Sequence, residues 1–194
     1  MSKARLLFLA LPPLQVVEAI RSAMARDRLE QRLGGRLFAP SNWHQSLSER
    51  IYSPTAQECD AMLPVGAAIA ASAHACTLAF NRINNQVDPE GRIHWTLQGH
   101  GLPKSFEALR MCVRKRIEIA GETRMLHNPS PHITLSYDAA EPLGQTIRVD
   151  PWVRWTIDEL LLVIGGGKPY AYEIVGRWPL LPEVDPPATQ MGLF

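Results

Sequence analysis

Cysteine is scarce in this 194-residue sequence: Cys59, Cys76 and Cys112 are an odd number, lie far apart and form no Cys-x-x-Cys pair. That excludes a disulfide framework and a thiolate zinc site. Long apolar runs are also lacking. None reaches the roughly 18 residues of a membrane-spanning helix. The short run Leu6–Leu11 ends at Pro12-Pro13 with no small-residue cleavage site behind it, so a soluble cytoplasmic protein is expected, with no membrane partner. An excess of either charge is lacking: 20 Lys and Arg stand against 19 Asp and Glu. The balance excludes broad neutralisation of duplex DNA and leaves room for a locally basic pocket that takes one or two phosphates. Patterns such as His-x-x-x-His and His-Glu-x-x-His are absent. A metal-dependent enzyme therefore has poor support, and no cofactor is expected.

What is present suffices for one core. With 46% hydrophobic residues, the chain reads as a single compact domain over 1–181 and a Pro-rich surface tail over 182–194. Leu6–Leu11 predicts a strand buried on both faces. Val17, Ile20 and Met24 follow at helical spacing, and the helix is expected to run to about Leu33 and stop at Gly34-Gly35. Residues 54–73 read as a helix that Pro64 must break or kink. Thr77–Ile83 and Ile93–Leu97 read as a hairpin closed by a polar loop, Asn84–Gly91. Phe106, Leu109, Val113, Ile117 and Ala120 form one stripe of a helix over Pro103–Ala120. Trp155–Ile164 and Tyr170–Leu180 are two more strands, separated by Gly165-Gly166-Gly167.

The order strand, helix, short segment occurs twice, in 6–47 and in 93–137, with similar lengths. This predicts an α+β fold of two pseudo-symmetric lobes around a central groove. Each unit ends alike, in His44-Gln45-Ser46-Leu47 and in His132-Ile133-Thr134-Leu135. On a strand, residues i and i+2 share a face, so each motif presents an imidazole beside a hydroxyl. Two imidazoles can divide acid and base duties, and Ser46 and Thr134 can donate to phosphate oxygens. One such motif occurs easily by chance; two at matched places carry weight. His94-Trp95-Thr96-Leu97 fits the same letters but falls on the first strand of its unit, so His94 reads as incidental. His74 and His100 lack a counterpart, and His127 lies near enough to His132 to line a rim. Trp43, Tyr52, Trp95 and Tyr137 are candidates to stack on a terminal base, with no more than one expected to do so.

These residues resemble the RNA 2',3'-cyclic phosphodiesterase family, also called the 2'-5' RNA ligase family, of the two-histidine phosphoesterase superfamily. The likeness runs over about residues 4–181. Its carriers are Arg5–Pro12, Asn42-Trp43-His44-Gln45-Ser46-Leu47, Ile93–Leu97, Pro129–Leu135 and the closing stretch Tyr172–Leu180. The resemblance implies antiparallel sheets flanking the groove, and opening of a 2',3'-cyclic phosphate on an RNA end or nucleotide to leave a 2'-phosphate. It implies no metal or nucleotide cofactor, and in some members 2'-5' joining of RNA ends. By motif position His44, Ser46, His132 and Thr134 form the catalytic set, with His44 the acid and His132 the base. The chain departs from the family at Ser46, where Thr is usual and the hydroxyl is kept. It departs again at Glu49-Arg50-Ile51, in place of an aromatic-aliphatic-Gly stretch, and at Tyr137, in place of an Arg. Arg50 can restore some of the missing positive charge. Trp43, Arg50 and Tyr137 are therefore the expected substrate contacts. The protein is expected to be a monomer. Two other readings share the fold: a non-catalytic module binding RNA ends or nucleotides, and a phosphodiesterase for a small cyclic phosphate.

Overall fold

The computed structural model describes residues 3–126 and 129–184. β1 (Arg5–Ala10) leads into α1 (Leu14–Arg26) and the short α2 (Leu29–Leu33). Two very short strands follow, β2 (Gln45–Ser46) and β3 (Ile51–Tyr52), and then α3 (Ala56–Ala70). The hairpin β4 (Cys76–Val87) and β5 (Ile93–Gly99) precedes α4 (Lys104–Ile119). β6 (His132–Ser136), β7 (Ile147–Ile157), β8 (Glu159–Gly166) and β9 (Ala171–Pro179) complete the chain.

The strands form two antiparallel sheets, ordered β2-β1-β8-β9 with β3 also on β1, and β6-β5-β4-β7. The expected duplication is visible in this order. In each sheet a motif strand, β2 or β6, pairs with the strand that feeds its lobe's helix, and two more strands follow. One face of each sheet is apolar. Leu6 and Phe8 from β1, Leu78 and Phe80 from β4, Trp95 and Leu97 from β5 and Leu160 and Leu162 from β8 all belong to one core. α4 turns Phe106, Leu109, Val113 and Ile117 into it.

Several boundaries differ from expectation, each for a local reason. The first helix does not reach Leu33 unbroken, because Arg28 takes a left-handed conformation (φ 51°) that divides α1 from α2. α3 runs continuously through Pro64, capped by reciprocal hydrogen bonds between Thr55 and Glu58. Asn84–Val87 is strand rather than loop. The turn waits for Asp88, whose backbone N–H donates to the Arg92 carbonyl and whose carboxylate accepts from the Glu90 and Arg92 N–H groups. Trp155–Ile164 is not one strand: the chain breaks at Asp158 and passes from the second sheet (β7) to the first (β8). Ala120 caps α4 and lies exposed, so the buried stripe ends at Ile117.

No helix among the described residues is long and apolar enough to cross a membrane. Of the expected tail, Glu183 accepts hydrogen bonds from the Thr77 N–H (2.7 Å) and hydroxyl (2.7 Å), which ties the chain to the start of β4. Residues 185–194 lie outside the described residues.

Candidate active site

β2 is only two residues long, and neighbouring contacts hold it. It pairs with β1 through Leu9 opposite Ser46 and Ala10 opposite Gln45. The buried Ser48 accepts from the Phe8 N–H at 2.9 Å, and Leu47 N–H donates to the Phe8 carbonyl at 2.9 Å. β6 pairs with β5 through Thr96 opposite Thr134 and Gln98 opposite His132. Both motif strands therefore lie on the edges of their sheets. In the first motif Gln45 and Leu47 are buried while His44 and Ser46 are partly open; in the second, Ile133 and Leu135 are buried and His132 is partly open. Alternation puts each imidazole and its hydroxyl on one side, although Thr134 is itself buried, unlike Ser46.

The two histidines are held in the same way. His44 Nδ1 lies 2.8 Å from the carbonyl oxygen of Asn42, and His132 Nδ1 lies 2.9 Å from that of Ser130. A carbonyl only accepts, so each Nδ1 carries a proton and each neutral ring has its lone pair on Nε2. In both cases the acceptor is two residues upstream. Gln45 joins the two motifs: its Nε2 donates to the Ser130 carbonyl (3.1 Å) and its Oε1 accepts from the His132 N–H (2.8 Å). The Gln45 side chain is fully buried between the lobes. Alternation predicts its direction, away from the groove, but nothing in the sequence shows what it reaches.

A cavity of about 230 Å³ opens beside His44. Arg5, Arg50 and Asn42 supply its polar lining, and Phe38, Tyr137, Tyr170 and Tyr172 its aromatic walls. Tyr172 stands edge-on to the His44 ring, with centroids 5.3 Å apart, and its hydroxyl lies 3.1 Å from Nδ1. Tyr137 packs edge-on against Phe38 at 5.1 Å. The Arg5 guanidinium lies 5.9 Å from the Tyr170 ring centre. Gly165 makes room for this cluster, since a Cβ there would strike the Tyr170 hydroxyl and the Tyr172 ring.

Burial drives the His44 imidazole down to about 4. The Asn42 carbonyl opposes this, and the charges of His132 and Arg50 push the same way as burial. His44 is therefore neutral near pH 7. Burial also raises the Tyr172 phenol, which keeps its proton.

Of the expected substrate contacts, Arg50 and Tyr137 line the cavity; Arg50 also pairs with Glu49 at 2.8 Å. Trp43 does not line it. Its side chain is wholly buried in the core, as is Trp95, and neither offers a face to a ligand. Their large apolar area belongs to packing. His94 is engaged by Asp88 (Nε2 to Oδ2, 3.0 Å) and stands edge-on to Tyr137, outside the His44 cavity. His74 and His100 bond the Pro182 carbonyl and Asn81 respectively. His127 lies outside the described residues. Arg5, Asn42, Tyr170 and Tyr172 are cavity residues that sequence reasoning missed, because nothing in sequence order shows that the first and last strands flank β8 together. Among the described residues, no three His, Cys, Asp or Glu side chains converge as metal ligands.

No family model and no curated protein matches this sequence. Solved structures do. Escherichia coli LigT complexed with phosphate superimposes with a TM-score of 0.70 at 20% identity, over 93% of this chain and 99% of that one. The fold is that of LigT. Protein TT0787 of Thermus thermophilus matches with a TM-score of 0.71 at 19% identity, covering 93% of this chain and 100% of its own. A protein described as a phosphoesterase matches at 0.70 and 19%, over 91% and 98%. The LigT architecture thus accounts for the α+β class and for both antiparallel sheets.

Proposed function

We propose that this protein hydrolyses 2',3'-cyclic phosphates on RNA ends or nucleotides to 2'-phosphates, without a metal ion, using His44 and His132 with Ser46 and Thr134. The observation that carries the reading is the matched anchoring of two imidazoles, each by Nδ1 to the carbonyl two residues upstream, on strands joined by Gln45. A fold that only bound nucleotides would have no use for two equivalent imidazoles. E. coli LigT has been crystallised with phosphate, ATP, NADP+ and 3'-AMP, which supports a phosphate and nucleotide site on the same fold here.

The chemistry is one displacement at phosphorus. His132 takes a proton from water as the water oxygen bonds to phosphorus. The bond from phosphorus to the ribose 3'-oxygen breaks, and His44 gives that oxygen a proton, leaving a 2'-phosphate and a 3'-hydroxyl. His44 is neutral without substrate, so it acquires its proton as the anionic phosphate arrives, because a nearby negative charge favours the charged imidazole. Ser46 and Thr134 donate to the non-bridging oxygens as charge builds on them. The aromatic walls and Arg50 beside His44 hold the terminal base and offset phosphate charge. With an RNA 5'-hydroxyl in place of water, the same displacement yields a 2'-5' linkage.

The test is turnover of a nucleoside 2',3'-cyclic monophosphate by the wild-type protein and by His132→Ala. Turnover by the wild type alone supports the reading. Tight binding without turnover would establish the binding module instead.

A further inference from the structure

The second sheet carries a feature that the histidine pair does not use. Its register places His132 opposite Gln98, Gln98 opposite Arg82, and Arg82 opposite Arg148. Residues directly opposite share a face, so one polar row crosses all four strands, starting at the histidine. The neighbouring row on that face is Thr134, Thr96 and Asn84. The reverse face, at Ile133, Leu97, Ile83 and Ile147, is apolar and packs on the core.

The middle of the row is hydrogen-bonded, and Arg148 at its end is exposed. The Arg82 Nε and the Asn84 Nδ2 both donate to the Gln98 Oε1, at 3.3 and 3.0 Å. Arginine only donates, so the Gln98 oxygen must face it, and the Gln98 amide nitrogen is left for the Thr96 hydroxyl at 3.4 Å. Among the described residues no carboxylate forms an ion pair with Arg82 or Arg148, while Arg32 and Arg50 each pair with one carboxylate and Arg92 and Arg124 with two. A recess of about 400 Å³ lies beside Asn84 and Gln98, walled by Gln86, Gln145 and Thr146 rather than by Arg82 or Arg148. Asparagines at the end of a long strand also run against strand preference, which is why Asn84–Val87 reads as a loop in the sequence. In the first sheet, the row through Ser46 runs through Leu9 and Leu161 and ends at Arg177, which is paired with Glu159.

Length decides what the row suits. Strands are spaced about 4.8 Å apart, which puts Arg82 about 10 Å and Arg148 about 14 Å across the sheet from His132. That exceeds the reach of the single phosphate held at the histidines. We infer that the Gln98–Arg82–Arg148 row is a subsite for the phosphodiester backbone upstream of the reacting end, so that a single-stranded oligoribonucleotide is held more tightly than a free cyclic mononucleotide. The inference rests on the proposed cyclic-phosphate site, since that site fixes which end of the chain lies at His132. The arginines take phosphate oxygens, and the amides take ribose hydroxyls or base edges.

The test is equilibrium binding, independent of turnover. The probes are a labelled RNA tetranucleotide ending in a 2'-phosphate, followed by fluorescence anisotropy, and a nucleoside 2'-monophosphate as competitor. The wild type should bind the tetranucleotide at least tenfold more tightly than the mononucleotide. In Arg82→Ala/Arg148→Ala that ratio should fall close to one, and the slope of log affinity against log salt should drop by about 1.4, or 0.7 for each lost contact with a single strand. Arg82→Gln/Arg148→Ala keeps a donor for Gln98 and guards against misfolding, and it should lose the same ratio. Equal affinity for the two lengths in the wild type, or an unchanged ratio in both folded variants, would overturn the row as a subsite. If cyclic ends are not hydrolysed yet the ratio still depends on the arginines, the catalytic reading fails and the row stands. Hydrolysis without length dependence would remove the row and leave the catalytic reading in place.

Discussion

The two lobes share a strand order and a way of holding a histidine, but the sheet faces beside those histidines differ. Next to Ser46 the first sheet presents Leu7, Leu9, Leu161 and Val163, a small apolar cluster with Tyr172 packed against it. Next to Thr134 the second sheet presents Thr96, Gln98, Arg82 and Asn84. On the proposed reaction, symmetry is kept where two equivalent imidazoles would act, and it is lost where a substrate would present two unlike ends. An apolar, aromatic wall suits a base; a polar wall that carries arginines suits a sugar-phosphate chain.

The equivalence of the halves is the easiest part of the comparison to break. His44→Ala and His132→Ala should each lower kcat by roughly 10²–10⁴-fold, with the double variant little worse than either, because the pair acts as a unit. Steady-state rates on a cyclic-phosphate substrate check this; a strong effect from one histidine alone would end the symmetry. Ser46→Ala and Thr134→Ala should each cost roughly 10²-fold in kcat, the usual loss when one donor to a developing oxyanion is removed. A neutral Ser46→Ala would confine phosphate binding to the second lobe.

The join between the lobes comes next. Gln45→Leu removes three hydrogen bonds, those to the Ser46 and Ser130 carbonyls and that from the His132 N–H. We expect a loss of about 2–4 kcal/mol, read from denaturant unfolding, and a fall in kcat with the fold retained. The pH dependence of stability sharpens the comparison from the His44 side. His44 titrates near 4 in the folded chain and near 6.5 when unfolded, so below pH 6.5 the unfolded chain takes up a proton that the folded chain refuses. Stability should fall as pH drops from 6.5 to 4, by about 3 kcal/mol at most, and His44→Gln should lack that part of the slope. The smallest effect belongs to His94→Ala. It loses a contact to Asp88 outside the cavity and should keep most of the activity.

Much of this arrangement is legible in the sequence because it is local. The two His-x-Ser/Thr motifs, the stripe of α4 and the repeated order of elements need only spacing and period. What failed depends on distant partners. Trp43 sits beside His44 in sequence, yet its ring lies in the core, since the extended backbone leading into β2 sends neighbours to opposite sides. Asn84, Asn85 and Gln86 imitate a turn because both faces of the strand are polar there: Asn84 and Gln86 share one face, and Asn85 on the other accepts from the Leu143 N–H. Asp158 separates two strands of different sheets with no glycine or proline to mark the change. Tyr170 and Tyr172 belong to the cavity only because β9 joins β8, which in turn pairs with β1.

The central claim is that two equivalent histidines open a cyclic phosphate toward its 2'-oxygen. The most direct measurement is chromatographic separation of 2'- and 3'-phosphate products from a short RNA ending in a 2',3'-cyclic phosphate, incubated in excess chelator with the wild type, His44→Ala or His132→Ala. The account predicts the 2'-phosphate alone from the wild type and almost no product from either variant. A 3'-phosphate product, loss of activity in chelator, or full activity in either single variant would contradict it.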